Sequence, residues 1–463
     1  MTFRKFLFSV ILLGLATQLA AQSEPYPSSY ARLPSNPVLI INATILTGTG
    51  ERIENGSLLI ADGRIKQMGE GSLKAQDAEM IDAQGRWVTP GLIDVHSHLG
   101  VYARPDIKAQ SDGNEATAPV TAQVWAEHSV WPQDPGFNRA RAGGVTALQV
   151  LPGSANLIGG RGVSLKNVPA TSYQGMKFPA APHGLKMACG ENPKRVYGEK
   201  GQTPSTRMGN VAGYRAQWIE ARRYIQDWEE YEKKKNGKKN DKNGQYGISG
   251  PPKRDLRLET LVAVLKGEIL VHMHCYRADE MMTVLDMADE FGYRISAFHH
   301  GVEAYKIAGE LAENGVCGAL WADWWGFKAE AYDGIQENIA IVDRPEGGCA
   351  IVHSDSEEGI QRLNQEAAKA MTRGRRAGMD ISPEHAIRWI TANPAKSMGI
   401  LDQTGTLEPG KMADVVIWNG NPFSVYAKAD QVFVDGALLY DRNDPARQPV
   451  SDFELGQQLG AEQ

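Results

Sequence analysis

Cysteine is scarce in this chain: four residues in 463, none of them before Cys189. So low a content excludes a disulfide scaffold as the source of the fold. A pairing of Cys317 with Cys349 is conceivable but not fixed by spacing, and burial as small apolar side chains is the simpler expectation for the cysteines. Positive charge is also in deficit, with 49 Lys+Arg against 55 Asp+Glu. The net charge of −6 becomes about −8 once Arg4 and Lys5 are set aside with the leader described next, which speaks against nucleic acid as a partner. Long apolar runs are missing apart from Phe6–Ala16, which follows Arg4 and Lys5 and leads to Leu19-Ala20-Ala21. That pattern reads as a secretory signal peptide over residues 1–21, too short to cross a bilayer. With no cysteine to carry a lipid there, the expectation is an exported, periplasmic or secreted protein without a stable membrane anchor.

What is present begins with ordinary globular composition, 42% hydrophobic and 22% charged, enough to bury a large core. Between residues 38 and 90, short apolar runs are punctuated by Asp-Gly and Gln-Gly turns, the texture of a small antiparallel sheet. The same texture returns only at Ala413-Asp-Val-Val-Ile-Trp and Gln431-Val-Phe-Val-Asp-Gly. Strands need partners, so residues 38–90 and 401–445 are expected to pair into one composite β-domain. The intervening 91–400 alternates strand-like and helix-like segments, which predicts an α/β fold with a parallel sheet, a (β/α)8 TIM-like barrel. Residues 212–260 break the rhythm as a helical insertion tipped by a lysine-rich run from Lys233.

The chemistry-bearing residues fall at the ends of those apolar runs. Val88-Thr-Pro-Gly-Leu-Ile-Asp-Val-His96-Ser-His98 ends in two histidines that share one face of a strand, a chelating geometry. His274 ends Ile269-Leu-Val-His272-Met-His274, His300 ends Ile295-Ser-Ala-Phe-His299-His300, and Asp355 ends Ala350-Ile-Val-His353-Ser-Asp355. Barrel active sites are built at that end of the strands. The 26 residues from His274 to His300 make one strand-helix-strand unit and the 55 from His300 to Asp355 make two, so His274, His300 and Asp355 fall on the fifth, sixth and eighth strands. Within pairs, direction decides. His274 is nearer the loop than His272; His299 and His300 face opposite ways by period two, and His300, beside Gly301, is preferred. His353 is expected in a hydrogen-bonded interior role, and His128, His183 and His385 lack strand-end context.

With Gly91-Leu-Ile-Asp-Val-His-Ser-His, the late Ser354-Asp355 and the closing Gly405-Thr-Leu-Glu-Pro-Gly-Lys-Met-Ala-Asp-Val-Val-Ile-Trp, residues 38–440 resemble a metal-dependent hydrolase of the amidohydrolase superfamily. The nearest branch is that of imidazolonepropionase-related and Xaa-Pro dipeptidase-like enzymes. The resemblance implies a barrel beside a composite β-sandwich. It also implies a divalent metal, zinc first, as one or two ions: His96 and His98 on the buried ion, His274 and His300 on the more exposed one, and Asp355 as ligand and proton shuttle. Many such enzymes bridge two ions with a carboxylated lysine on the fourth strand, for which Gly184-Leu-Lys186-Met-Ala offers Lys186, with Glu191 as the alternative bridge. Where Xaa-Pro dipeptidase-like enzymes carry His-Ala-His-Gly, this chain has His274-Cys275-Tyr276-Arg277. Tyr276 and Arg277 are candidates for a substrate carbonyl or carboxylate, Arg277 equally for a structural cap. Trp324, after the seventh strand, is a candidate pocket wall.

The function implied is hydrolysis of an amide, cyclic amide or small peptide by metal-activated water, with a small molecule or short peptide as substrate and a homo-oligomer left open. A deaminase or lactonase on the same site, or a non-catalytic metal-containing binding protein, are the alternatives.

Overall fold

A computed structural model describes residues 25–237 and 250–448. The leader expected at 1–21, and the lysine-rich run beyond Gly237, lie outside the described residues. Strands β1 (Val38–Leu46), β2 (Arg52–Ala61), β3 (Arg64–Glu70), β4 (Glu79–Asp82) and β5 (Trp87–Pro90) come first. Next are β6 (Leu92–Ser97), β7 (Val145–Val150), β8 (Ile158–Lys166), β9 (Gly184–Ala188), β10 (Leu270–Cys275), β11 (Ile295–His300), β12 (Cys317–Leu320) and β13 (Ala350–Val352). The last three are β14 (Val415–Trp418), β15 (Ala429–Val434) and β16 (Ala437–Asp441).

Strands from both ends of the chain share one sheet, ordered β16-β15-β14-β5-β1-β2-β3 with β4 also on β1. Its two-residue hairpins are legible turn chemistry: Asp62-Gly63 and Asp435-Gly436 each put two successive residues at positive φ, as a type I′ turn requires. The sheet is mixed rather than antiparallel as expected, because β4 and β5 both run parallel to β1.

The second sheet runs β6 through β13 in chain order, eight strands curled into a nearly closed barrel. It departs from the all-parallel expectation at β8, which is antiparallel to both β7 and β9. Only residues 151–157 join β7 to β8; a parallel crossover needs a dozen residues or more, so the chain turns straight back. The seam between the first and last strands is clasped by side chain and backbone: Asp355 N donates to His96 O at 3.1 Å, Ser354 N donates to Asp94 Oδ1 at 3.3 Å, and Ser354 Oγ bonds Asp94 Oδ2. Helices cover the outside. Ala278–Phe291 buries Met281, Val284, Leu285, Ala288 and Phe291 and stops at Gly292, whose φ of 67° makes a left-handed cap. The long helix Arg207–Gly237 packs on Leu256–Leu265, with Trp218 fully buried. Lys166, at the end of β8, ties the two sheets together with its buried ammonium 3.1 Å from Asp414 and 2.7 Å from Asp435.

All four cysteines are bonded, Cys189 to Cys275 and Cys317 to Cys349, which corrects the expectation of free apolar fillers. Adjacent strands bring their Cα atoms to 5.2 and 4.6 Å, within disulfide reach, and register of that kind is invisible in spacing. Cys189–Cys275 staples the ends of β9 and β10 immediately beside His274.

Candidate metal centre

The ends of β6, β9, β10, β11 and β13 deliver their polar side chains to one place. His98 Nδ1–H donates to the Leu151 carbonyl at 2.8 Å, and its Nε2 faces Asp355 Oδ1 at 3.2 Å. His96 Nε2 lies 3.4 Å from the same oxygen and 3.3 Å from Lys186 Nζ, which also donates to Pro152 O at 3.0 Å. His300 Nδ1 is 3.8 Å from the other Asp355 oxygen. The His300 ring stands 4.8 Å from His96 and 4.6 Å from His274. Among the described residues, two groups have ligand atoms all within 4.8 Å of one another: His96, His98 and Asp355, and His96, His300 and His353.

Electrostatics hold these groups in ligand form. Burial, then the neighbouring Lys186, drives His96 and His274 well below the ordinary imidazole value, and burial followed by the His274 ring does so for His300. Neutral imidazole is what a cation needs. Burial brings Lys186 down to about 8 against the opposing pull of Asp355. Burial pushes the Asp355 carboxyl up, but the His98 hydrogen bond and the charges of His98, His353 and Lys186 outweigh it and keep the group below the usual aspartate value, hence ionised.

The donor set fits a divalent cation on an independent ground. Both nitrogens of His274 and His353, and Nδ1 of His300, are buried without a hydrogen-bond partner. Each unpaired buried polar atom costs about 1–3 kcal/mol, and several side by side in one cavity are the mark of an ion site.

Two directional expectations are corrected. His299 and His300 do not diverge: His300 has φ of 73°, and both rings lie within 4.8 Å of His96. Left-handed backbone at the strand end breaks the period of two. Asp355, at φ of 49°, turns in the same way, and His353 joins the cluster with no hydrogen bond instead of filling a bonded interior role.

Of the remaining candidates, Tyr276 is buried and stacks on His300 at 5.4 Å, with Lys328 Nζ 4.1 Å from the centre of its ring; burial raises its phenol far above the ordinary value, so it stays protonated. Trp321 stacks directly on His300 at 4.4 Å, and Trp324 lies outside it at 5.4 Å, half exposed. Arg277 is not brought to the cluster: it precedes the helix Ala278–Phe291 and pairs with Asp279 at the surface. Glu191 opens the helix Glu191–Gly198, its backbone N–H bound to Glu330, and belongs to neither ligand group. His128, His183 and His385 pack elsewhere, on Trp125, Glu127 and Asp343. The roles of Lys328 and Asp94 went unremarked in the sequence because tertiary packing alone gives them their places.

A barrel mouth lined by imidazoles and one carboxylate defines a metal-assisted hydrolase class of site, and comparison with known proteins agrees. A sequence model described as Amidohydrolase family matches residues 349–439. The crystal structure of an amidohydrolase from Thermotoga maritima MSB8 superposes with a TM-score of 0.76 at 35% identity, covering 88% of this chain and 100% of that one. The amidohydrolase tasK of Hapsidospora irregularis is 31% identical over 88% of this chain, which spans 43% of that protein's length. An imidazolonepropionase of Mesorhizobium japonicum is 24% identical over 79% of this chain and 87% of its own. The chain belongs to the amidohydrolase family, enzymes that act on carbon–nitrogen bonds.

Proposed function

We propose that the protein is an exported metal-dependent amidohydrolase that cleaves an amide, a cyclic amide or a short peptide, on a TIM-like barrel flanked by a composite β-sandwich. The observation that carries this reading is the approach of His96 Nε2 and His98 Nε2 to one Asp355 oxygen, at 3.4 and 3.2 Å, with Lys186 Nζ 3.3 Å from His96. His96, His98, Lys186, His274, His300 and Asp355 would hold one or two divalent ions, zinc first because imidazole and carboxylate are its ligands. Such an ion supplies Lewis acidity, acidifying a water molecule and polarising the scissile carbonyl.

The chain's own groups do the rest. Asp355, ionised and facing the histidines, takes the proton from the attacking water and returns it to the leaving nitrogen. Tyr276, protonated and stacked over His300, donates a hydrogen bond to the substrate carbonyl, while Trp321 and Trp324 wall the mouth. The likeness to an imidazolonepropionase supports a ring amide among the substrates.

A panel of lactams, N-acyl amino acids, dipeptides and lactones, with ammonia release scored in parallel, tests the reading. Turnover of a carbon–nitrogen substrate that is lost on chelation and restored by zinc is expected; turnover indifferent to chelation, or confined to lactones, contradicts it. Export predicts a mature N-terminus at Gln22 in the periplasmic or secreted fraction, and an intact Met1 in the cytosol contradicts that part.

A further inference from the structure

Beneath the cluster runs a line of side chains for which hydrolysis has no direct use. His96 Nδ1 is 2.9 Å from His299 Nδ1, His299 Nε2 is 2.9 Å from His272 Nδ1, and His272 Nε2 is 3.3 Å from the Gln149 amide. All four residues are fully buried, and they come from β6, β11, β10 and β7, so the line crosses the interior of the barrel.

A neutral imidazole carries one proton on one of its two nitrogens, so each nitrogen–nitrogen contact needs one ring to donate and the other to accept. Linked rings of this kind have only two self-consistent arrangements. In the first, the Gln149 amide nitrogen donates to His272, His272 Nδ1–H donates to His299 and His299 Nδ1–H donates to His96. The His96 proton is then forced onto Nε2, the atom that faces Asp355 and Lys186, and its lone pair is lost to any cation there. In the second, every bond is reversed: His96 Nδ1–H donates to His299, His299 Nε2–H to His272, and His272 Nε2–H to the Gln149 carbonyl oxygen, leaving His96 Nε2 bare.

The near end of the line selects between them. Lys186 Nζ, which can only donate, lies 3.3 Å from His96 Nε2, so that nitrogen accepts and the ring proton belongs on Nδ1. At the far end the second arrangement turns the Gln149 amide oxygen toward His272, an orientation that differs from the other by exchange of two nearly indistinguishable atoms. His98 fixes its own tautomer in one step through the Leu151 carbonyl; His96 has no carbonyl at Nδ1 and relies on the line.

We infer that His299, His272 and Gln149 are positioning residues that hold His96 as the Nδ1–H tautomer, aiming the Nε2 lone pair into the site before any ion arrives. The inference rests on the metal-centre reading above, and it makes the first histidines of the His-Met-His and His-His motifs part of the site by way of their neighbour.

Histidine-selective 15N NMR of the metal-free wild-type protein reads the tautomer directly. Protonation of His96 at Nδ1 is expected; protonation at Nε2 overturns the inference. Zinc affinity, measured by competition with a chromophoric chelator, gives the second arm. His299→Leu is expected to bind zinc about 10- to 100-fold more weakly. His299→Asn, which keeps an oxygen acceptor near the Nδ1 position, is expected to recover most of that loss, which general disruption of the core would not do. Equal zinc affinity in wild type and His299→Leu overturns the inference alone. A wild-type protein that binds no zinc overturns the metal centre, while the NMR arm still decides the tautomer; should His299→Leu fail to fold, that arm and His299→Asn carry the test.

Discussion

His98 Nε2 lies 3.2 Å from Asp355 Oδ1, while the other nitrogen of the same ring is committed to the Leu151 carbonyl at 2.8 Å. That pairing joins the loop after the first barrel strand to the loop after the last, and it leaves the carboxylate ionised at the mouth. Replacement of Asp355 by Asn keeps size and one acceptor oxygen but removes the base. Turnover is expected to fall by about 10²- to 10⁴-fold with bound zinc largely retained, read by steady-state kinetics beside elemental analysis. Undiminished turnover would refute the proton-shuttle role.

Lys186 is buried on the fourth strand of the barrel with its amine against His96 Nε2. A bridging role as a carboxylated lysine predicts that Lys186→Met lowers the zinc bound per chain, and that Lys186→Glu, which restores a carboxylate, recovers part of it. Atomic emission on dialysed protein checks both. Equal zinc in wild type and Lys186→Met would exclude Lys186 from the metal site.

Much of this was legible in the sequence because it follows from local rules. Asp-Gly turns declared the hairpins of the terminal sheet, and apolar runs ending in His96, His98, His274, His300 and Asp355 declared the strand ends that meet. The count that put His274 on the fifth strand and Asp355 on the eighth matches β10 and β13 in a sheet that begins at β6. What spacing failed to give depends on backbone departures and register. Positive φ at His300 defeats period-two alternation there and lets His299 and His300 both reach His96, while His353 keeps the face it shares with Asp355 but finds no hydrogen bond. Strand neighbours far apart in sequence set the disulfide Cys189–Cys275. Arg277, attractive beside a strand end, spends its guanidinium on Asp279 at the surface.

Glu127 is fully buried, 2.7 Å from Lys177 Nζ and 3.1 Å from His183 Nε2. Burial pushes its carboxyl up, yet the His183 and Lys177 hydrogen bonds prevail and hold it below the ordinary glutamate value. A carboxylate depressed in the folded state stabilises fully above its unfolded pKa and loses that contribution as pH falls through the folded value. Glu127→Gln removes the buried carboxylate that Lys177 and His183 both face, so a loss of about 3–5 kcal/mol at pH 7 is expected, narrowing below the glutamate range. Urea unfolding at pH 7 and pH 4 measures it; a gap that stays constant would contradict the ion pair.

Crystallography of the zinc-soaked protein, with anomalous difference maps on either side of the zinc edge, tests the metal centre most directly. The account predicts a peak within bonding distance of His96 Nε2, His98 Nε2 and an Asp355 oxygen. A map without density there, or with zinc only at surface carboxylates, would contradict it.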